Sequence, residues 1–466
     1  MREVRLVPPA LTVWAAVLAL LLSGPGAAAA VVAVAVGLAA ALRQPGQAVL
    51  AAALGGSAAG IAWLRVRTAR AWEWAGEVTG TVTGMPLRLE SGSHLVRVLV
   101  PGHPGAVPVF ARGIPPGAVP GAVVKVTGAV ADSDRPGTSR VVLSGEVEVV
   151  AAPRGMAAFA HHVRSTFAEA VERTVAPGAR GLIPGMVLGD TSLQTPEEQR
   201  FYVDTGLSHL SAVSGSNVAI VTAAAVVAAA ALGLGLRGRM AAAGAALVTF
   251  AVLVGPEPSV LRASLMGMVA LVAVLSSSVA EPLHTLCLAV IALLIVDTNL
   301  AVSFGFALSA AATAGIVVLA PLLYRGLAPL RLPDVLTRAL AVAIAADAVT
   351  VPLVALMAGQ VSTVSVAANI AAAPAAAPIT VLGLVAVVLS LCPGGLETVV
   401  LWGAEPLAWW VYAVARFGAQ VPGATVRAGP LTVAVCWGWV LAGLFAGRPR
   451  AAAGMAVTVA VAASLV

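Results

Sequence analysis

The sequence has 466 residues, of which 59% are hydrophobic and only 10% are charged, with a mean hydropathy of +0.97 and a formal net charge of +6. Soluble domains carry about 25% charged residues, so the composition excludes an ordinary soluble protein and indicates an integral membrane protein. The three cysteines all lie in or beside apolar runs, which indicates neither a disulfide framework nor a thiolate metal site.

Three apolar segments open the chain, at about 10–23, 27–42 and 47–64, and they predict a domain of N-terminal membrane helices over residues 1–70. A helix needs about 20 residues to cross the hydrocarbon core of a bilayer. The first two segments are short for full crossings, so tilted helices or a tightly turned hairpin are expected.

Residues 76–150 differ from this beginning, because short runs of alternating apolar and polar residues are separated by Gly and Pro. Five such runs predict a small β-barrel with an OB-like fold. Six basic side chains are balanced by six acidic ones, and Phe110 is the only aromatic residue available to stack on a base. A structural or spacer role is therefore favoured over direct DNA binding.

Helical spacing of apolar residues at 155–176 predicts an amphipathic helix, on the membrane surface or against the helical bundle, within a linker over 155–206. The remaining residues, 207–466, are apolar almost throughout. They predict ten spans, at 213–234, 240–255, 259–279, 283–296, 301–323, 337–358, 364–391, 399–416, 430–446 and 451–466.

One membrane orientation places most arginines of the connecting loops in the cytoplasm, as the positive-inside rule requires. In that orientation the β-domain is extracytoplasmic. Arg65, Arg67 and Arg70 would then lie outside and run against the rule. The expected fold is thus a polytopic α-helical membrane protein with an inserted small extracytoplasmic β-barrel domain. The arginines assigned to the cytoplasm are Arg237, Arg239, Arg325, Arg331, Arg338, Arg448 and Arg450.

Polar residues collect at the start of one apolar run, in GLSHLSAVSGSNVAIV at 207–222. Exposed N–H groups at a helix start favour phosphate, and the side chains there can donate further hydrogen bonds. Ordinary helix capping uses the same geometry, and a hydrolytic triad is disfavoured because no acid partner accompanies Ser214 and His209. These residues are therefore candidates for a polar lining that binds phosphate groups: His209, Ser211, Ser214, Gly215, Ser216 and Asn217.

Other polar side chains stand inside apolar segments, where they are costly unless they face a cavity or a neighbouring helix. Arg262 is a candidate for a phosphate contact, although it could instead snorkel or pair with Glu257. Asp347 should face a polar interior or a partner helix. Gln360, Ser365 and Asn369 precede a helix interrupted by two prolines, which indicates either a pathway wall or bonding between helices.

Four motifs in order resemble the ComEC-type competence proteins, channels of bacterial DNA uptake. The first runs from Leu188 to Gly215, the second is PSVLRA at 258–263, the third covers 297–316 and the fourth covers 359–383. Ser216 and Asn217 replace the family's usual Leu-His, and Thr298 replaces a Pro. The resemblance implies structural roles for Gly189, Asp190, Gly206, Pro258 and Ser309.

The resemblance implies a multi-pass protein of the bacterial inner membrane that passes single-stranded DNA into the cytoplasm during natural competence. A secondary transporter for a small solute, with Asp347 as its ion-coupling site, is the alternative. No phosphate-binding loop and no His-x-His-x-Asp-His cluster occur. No enzymatic activity, metal or cofactor is therefore expected. A separate ATP-driven motor is expected beside a surface DNA receptor, and the nuclease domain of many family members is either a separate polypeptide or missing from a truncated sequence.

Overall fold

The computed structural model describes residues 4–89, 91–211, 213–276, 280–446, 448 and 454. Ala212, Arg450 and the expected span 451–466, apart from Gly454, lie outside the described residues. The chain forms two compact units, Met1–His162 with Val221–Phe306, and Val163–Ile220 with Ala307–Val466. The expected division at 1–70, 76–150, 155–206 and 207–466 stays a prediction.

Three helical segments open the first unit and match the three expected ones. Helix α1 ends at Ser23 and α2 begins at Pro25, so Gly24 alone makes the turn between them, with a φ of 98°. This is the tightly turned hairpin expected from the short segments, and glycine suits it because the left-handed region is open to a residue without Cβ. The segments are α1 (Val7–Ser23), α2 (Pro25–Ala41), and α3 (Pro45–Leu50), which continues through a π-helical turn (Ala51–Gly55) into α4 (Gly56–Arg70).

A six-stranded sheet follows α4, and five of its strands are the predicted alternating runs. The sixth, β2, has only two residues and was not predicted. The strands are β1 (Glu77–Val82), β2 (Leu87–Arg88), β3 (His94–Leu99), β4 (Ala106–Ala111), β5 (Val123–Asp132) and β6 (Val141–Ala151). Their order is β1-β5-β6-β4-β3-β2, with a short additional pairing between β1 and β3. The strands thus form a small sheet, and the expected OB-like barrel stays a prediction.

The sheet buries one aliphatic face. Its core consists mainly of valines that alternate along the strands, such as Val96 and Val98 on β3 and Val107 and Val109 on β4, all with no exposed surface. Alternate residues of a strand point to opposite faces, so Arg97, between the two valines of β3, remains exposed. Phe110 is half-buried.

The connection and the polytopic region are helical, and the bounds lie close to those expected except for α6 and α7, two short helices in the linker that were not predicted. The helices are α5 (Met156–Thr174), α6 (Leu182–Leu188), α7 (Pro196–Asp204), α8 (Gly215–Ala231), α9 (Leu236–Val254), α10 (Pro258–Leu275), α11 (Pro282–Val296), α12 (Phe304–Leu327), α13 (Asp334–Ala358), α14 (Ser365–Ser390), α15 (Glu397–Ala419) and α16 (Pro430–Phe445). Two short strands, β7 (Gln360–Ser362) and β8 (Thr425–Arg427), pair antiparallel.

Six helices among the described residues are long and apolar enough to cross a membrane. The protein is therefore a multi-pass helical membrane protein, as its composition indicated. Several shorter apolar helices, of 15 to 17 residues, accompany them. The six long ones are Pro45–Arg70, Leu236–Val254, Pro258–Leu275, Phe304–Leu330, Asp334–Ala358 and Ser365–Ser390.

The sheet contacts the helices of its own unit at the turn that follows α11. The backbone N–H and the hydroxyl of Thr138 donate hydrogen bonds of 2.8 and 2.7 Å to Oδ1 of Asn299. Nη1 of Arg65, near the end of α4, donates to Oγ1 of Thr298 at 2.9 Å. Thr138 and Thr298 are almost fully buried. These bonds fix the loop between β5 and β6 to the turn between α11 and α12.

Candidate functional site

Short elements of the second unit hold the polar segment that precedes α8. Gly189 ends α6 in a left-handed conformation with a φ of 75°, which glycine adopts without strain. Next to it, the buried carboxylate of Asp190 accepts a 2.9 Å hydrogen bond from the backbone of Ser192. Thr195 and Glu198 then form a reciprocal capping box that starts α7. Gly189 and Asp190, expected from the resemblance to be structural, thus lie in the turn between α6 and α7.

Gln194 ties this turn to the polar segment. Its Nε2 donates to the carbonyl oxygens of Gly181 at 3.1 Å and Ser211 at 3.2 Å, and the residue is almost fully buried. A Cβ on Gly185 would lie 2.5 Å from the Ser211 oxygen, so only glycine permits this approach. The backbone around Ser211 is therefore held by a side chain that sequence reasoning did not select.

A cavity of about 230 Å³ lies between the start of α8 and the middle of α14. Its lining combines two of the motif segments that are far apart in the sequence. None of the described lining residues is charged. The polar lining residues are His209, Ser214, Ser216, Asn217, Asn369 and Thr380, and the apolar ones are Met186, Leu210, Ile220, Ala373, Ala376 and Ala377.

Asn217 makes the central contacts of the cavity. Its Nδ2 donates to the carbonyl oxygen of Met186, and its Oδ1 accepts from Ser214 at 3.2 Å and from Thr380 at 3.5 Å. Only 3% of the side chain surface is exposed. Both ends of the amide are engaged, so Asn217 links α8 to α6 and α14 rather than offering free groups to a ligand.

Ser216 and His209 are the more accessible polar groups. Oγ of Ser216 lies 2.5 Å from Oγ of Ser214, and Ser216 is exposed. Nδ1 of His209 donates to the carbonyl oxygen of Gly206 at 3.1 Å. Crowding by protein atoms lowers the pKa of His209 by desolvation while this hydrogen bond raises it, and the exposure of the ring to solvent limits the effect.

A buried acid lies elsewhere in the same unit. Oγ of Ser365, at the start of α14, donates to Oδ2 of Asp347 on α13 at 2.5 Å, and both residues are buried. Gly206 packs against this pair, because a Cβ there would lie 2.8 Å from Cβ of Ser365. Asp347 therefore bonds a partner helix, as a carboxylate inside an apolar helix requires.

The remaining candidates of this unit have local partners. Nδ2 of Asn369 donates to the carbonyl oxygen of Ser365 at 3.0 Å, while Gln360 pairs with Arg427 in the small β7–β8 sheet. The hydroxyl of Ser211 donates to the Ser208 carbonyl at 2.9 Å. The carbonyl of Ser309 accepts from Thr313. Asn369 alone of these four lines the cavity.

Arg262 and Pro258 belong to α10 in the first unit. Pro258 opens the helix, where its missing N–H costs no hydrogen bond. Arg262 follows one turn later and is 7% exposed, with Nη1 3.6 Å from Sδ of Met266. The arginine side chain is thus packed against other protein atoms. Its contact with phosphate stays a prediction.

Thr380, Gln194 and the Met186 carbonyl were not selected from the sequence. Thr380 is a polar residue within the long apolar helix α14, which is the signal that could have found it. Gln194 falls inside the first motif but has no recognisable partner in the sequence. A backbone carbonyl gives no sequence signal at all.

The fold and the site define a multi-pass helical membrane protein that carries a small β-sheet and an uncharged polar cavity between helices. Comparison with protein families identifies it further: the Competence family model, described as "Competence protein", matches residues 186–451. The chain belongs to this family, which supports a role in competence and DNA uptake. No curated protein and no solved structure matches the chain. The matched range contains the cavity and the buried acid pair.

Proposed function

We propose that the chain is an inner-membrane channel through which single-stranded DNA enters the cytoplasm during natural transformation. Membership of the competence family supports the process. One observation carries the channel proposal: the cavity unites the Ser-Gly-Ser segment before α8 with Asn369 and Thr380 of α14. Two motif segments that lie about 150 residues apart thereby form one polar surface.

The chemistry of that surface suits a passing strand. A polyanion is repelled by carboxylates, and the described cavity lining contains none. Strong cationic contacts would hold phosphates tightly, whereas hydroxyl and amide groups can exchange hydrogen bonds with a moving chain. The apolar wall formed by the alanines of α14 leaves room for bases. His209, Ser216 and Asn369 are the groups proposed to contact DNA, with Asn217 positioning the helix that carries Ser216.

The β-domain is proposed to be an OB-like extracytoplasmic spacer. Its supporting features are the strand order, the parallel pairing of β4 with β6 and the pairing of β1 with both β3 and β5. Its balanced charge argues against a DNA-binding groove. The chain is proposed to work with a surface DNA receptor, a cytoplasmic ATP-driven motor and a separate nuclease.

A secondary transporter for a small solute is the second candidate, and the Asp347–Ser365 pair favours it. A buried carboxyl group bonded across two helices is a common place for ion or proton coupling. This candidate predicts solute uptake that depends on an ion gradient and is lost in Asp347→Asn, with no effect of the chain on transformation.

The test uses a naturally competent strain in which the gene has been deleted and restored as wild type or as a variant. Ala376→Phe places a ring in the cavity, and Ala367→Phe places one on an exposed position of the same helix. We expect Ala376→Phe to lower internalised labelled DNA at least about tenfold, with surface-bound DNA unchanged. Ala367→Phe should resemble the wild type.

Both variants must reach equal levels in the membrane before uptake is compared. Unchanged transformation after complete deletion would reject the DNA channel and favour the transporter. Normal uptake by Ala376→Phe in a strain that needs the gene would reject this cavity as the route of the strand.

A further inference from the structure

A second cavity, independent of the proposed channel, lies between α9 and α10 in the first unit. Its volume is about 490 Å³, within the range of about 300–1,000 Å³ of small-molecule sites. Each helix contributes one stripe of residues at spacings of three and four, so the two stripes face each other. The residues that matter here are Arg237, Met240 and Gly244 on α9, and Met268, Leu271 and Leu275 on α10.

The groove widens toward the start of α9. Near its closed end, a Cβ on Gly267 would lie 2.9 Å from Cδ1 of Leu247, so the helices touch there. One turn further along, a Cβ on Gly244 would meet Leu271 only at 3.9 Å, an ordinary contact distance. From Gly244 to Arg237 the groove then extends about 10 Å along the helix axis. This is about two thirds of the depth of one leaflet's hydrocarbon layer.

The open end of the groove carries the charge. Arg237 is exposed and is the single charged residue among the described lining residues. The neighbouring Arg239 is held back by a 2.8 Å bond from its Nε to the Leu234 carbonyl. In the orientation predicted from the arginine distribution, both arginines lie at the cytoplasmic surface, where anionic headgroups concentrate.

We propose that this groove binds one anionic phospholipid of the cytoplasmic leaflet. The phosphate pairs with Arg237, and an acyl chain lies along Met240, Gly244, Met268 and Leu271. The two methionine side chains can adapt to a mobile chain, because their unbranched stems adopt many conformations. Small residues on α9, such as Gly244, leave space between the helices for the acyl chain of the lipid.

A second copy of the protein fits the groove less well. In a two-fold dimer the same surface meets itself, so the Arg237 side chains of both copies would be brought near one another. Like charges at a membrane surface repel, whereas a phosphodiester supplies the opposite charge. Charge complementarity therefore favours a lipid.

Native mass spectrometry of the full-length protein can test this, with dioleoyl phosphatidylglycerol and dioleoyl phosphatidylcholine as competing probes. We expect the wild type to retain phosphatidylglycerol in preference. Arg237→Gln should lower that preference about fivefold, since one arginine at the surface contributes about 1 kcal/mol toward an anionic lipid. Gly244→Leu should reduce binding of both lipids by filling the groove.

Two matched controls separate the groove from general effects. Arg325→Gln removes an exposed arginine from the end of α12, and Gly37→Leu adds the same side chain to α2, where nothing lies within 4 Å. Both should bind lipid like the wild type. Equal retention of the two lipids by the wild type, or equal losses in Arg237→Gln and Arg325→Gln, would overturn the proposal. A wild-type dimer that Gly244→Leu dissociates would overturn it in favour of self-association.

Discussion

The β-domain and the helices around the cavity are held together by opposite kinds of contact. The β-domain buries a core of valines, and its charged residues stay at the surface. The second unit instead buries polar groups among apolar helices, including Asn217, Ser365, Asp347 and Thr380, and bonds them to one another or to backbone. Packing of apolar side chains therefore holds one region together, and hydrogen bonds between buried polar groups hold the other.

The difference follows from the surroundings of each region, which are water for the β-domain and lipid for the helices. Water drives valines together in the β-domain. Lipid tails provide no such force between helices, so packing and interhelical hydrogen bonds contribute more of the association. Loss of volume should consequently weaken the β-domain, and loss of a hydrogen-bond partner should weaken the helical unit.

The largest effect is expected for Asn217→Leu, which keeps a similar side-chain volume and removes the amide. The Met186 carbonyl would lose its donor, whereas the Thr380 hydroxyl keeps its 3.0 Å bond to the Ala376 carbonyl. Leaving a buried polar group unpaired costs about 1–3 kcal/mol. The thermal midpoint of the purified full chain should fall, and DNA uptake should fall with it.

Ser216→Ala is the matched control, because Ser216 is exposed one residue away. It should leave the midpoint unchanged. Equal stability of Asn217→Leu and wild type would mean that the amide contributes no net link between α8 and its neighbours.

A smaller effect is expected for Val98→Ala in the β-domain. Val98 has no exposed surface, and losing two methyl groups should cost about 1.5 kcal/mol at about 0.8 kcal/mol per buried methylene. The temperature at which protease cuts the β-domain of the full chain should drop. Val130→Ala, at a position 41% exposed, should change it little, and an equal drop in both variants would contradict a core of this kind.

The smallest effect is expected for Lys125→Gln, which breaks the 2.6 Å ion pair with Glu77 on neighbouring strands. Exposed pairs contribute little in salt. Glu77 raises the pKa of Lys125, so the pair's contribution is complete at neutral pH and is lost as the pH rises through the pKa of the folded-state lysine. The protease midpoint at neutral pH and physiological salt should match that of the wild type, and a clear decrease would show that surface charge helps hold the β-domain.

Most helix bounds could be predicted because glycines and prolines interrupt the apolar runs and mark where helices end or begin. Pro25 and Pro258, for example, stand at the first position of α2 and α10. The five longer strands follow from alternation, whereas β2 is too short to carry a pattern. The β1–β3 pairing could not be predicted, since strand partners depend on how the sheet coils rather than on local sequence.

The polar segment of the site was visible in the sequence, but its partners were not. Asn217 stands out before an apolar run, yet the Met186 carbonyl that it bonds is 31 positions away and Thr380 is 163 away. Such partners are set by how α6, α8 and α14 pack. Whether the lining residues contact DNA stays a prediction.

The hydrogen bond between Thr138 and Asn299 also restricts how many times the chain between these residues can cross the membrane. Two loops joined by a direct hydrogen bond must lie on the same side of the bilayer, so the chain between Ala151 and Asp297 must cross it an even number of times. Crossings by all four apolar helices, α8 to α11, would satisfy this parity. We predict that the amphipathic helix α5 does not cross, since a fifth crossing would place the two bonded loops on opposite sides of the bilayer.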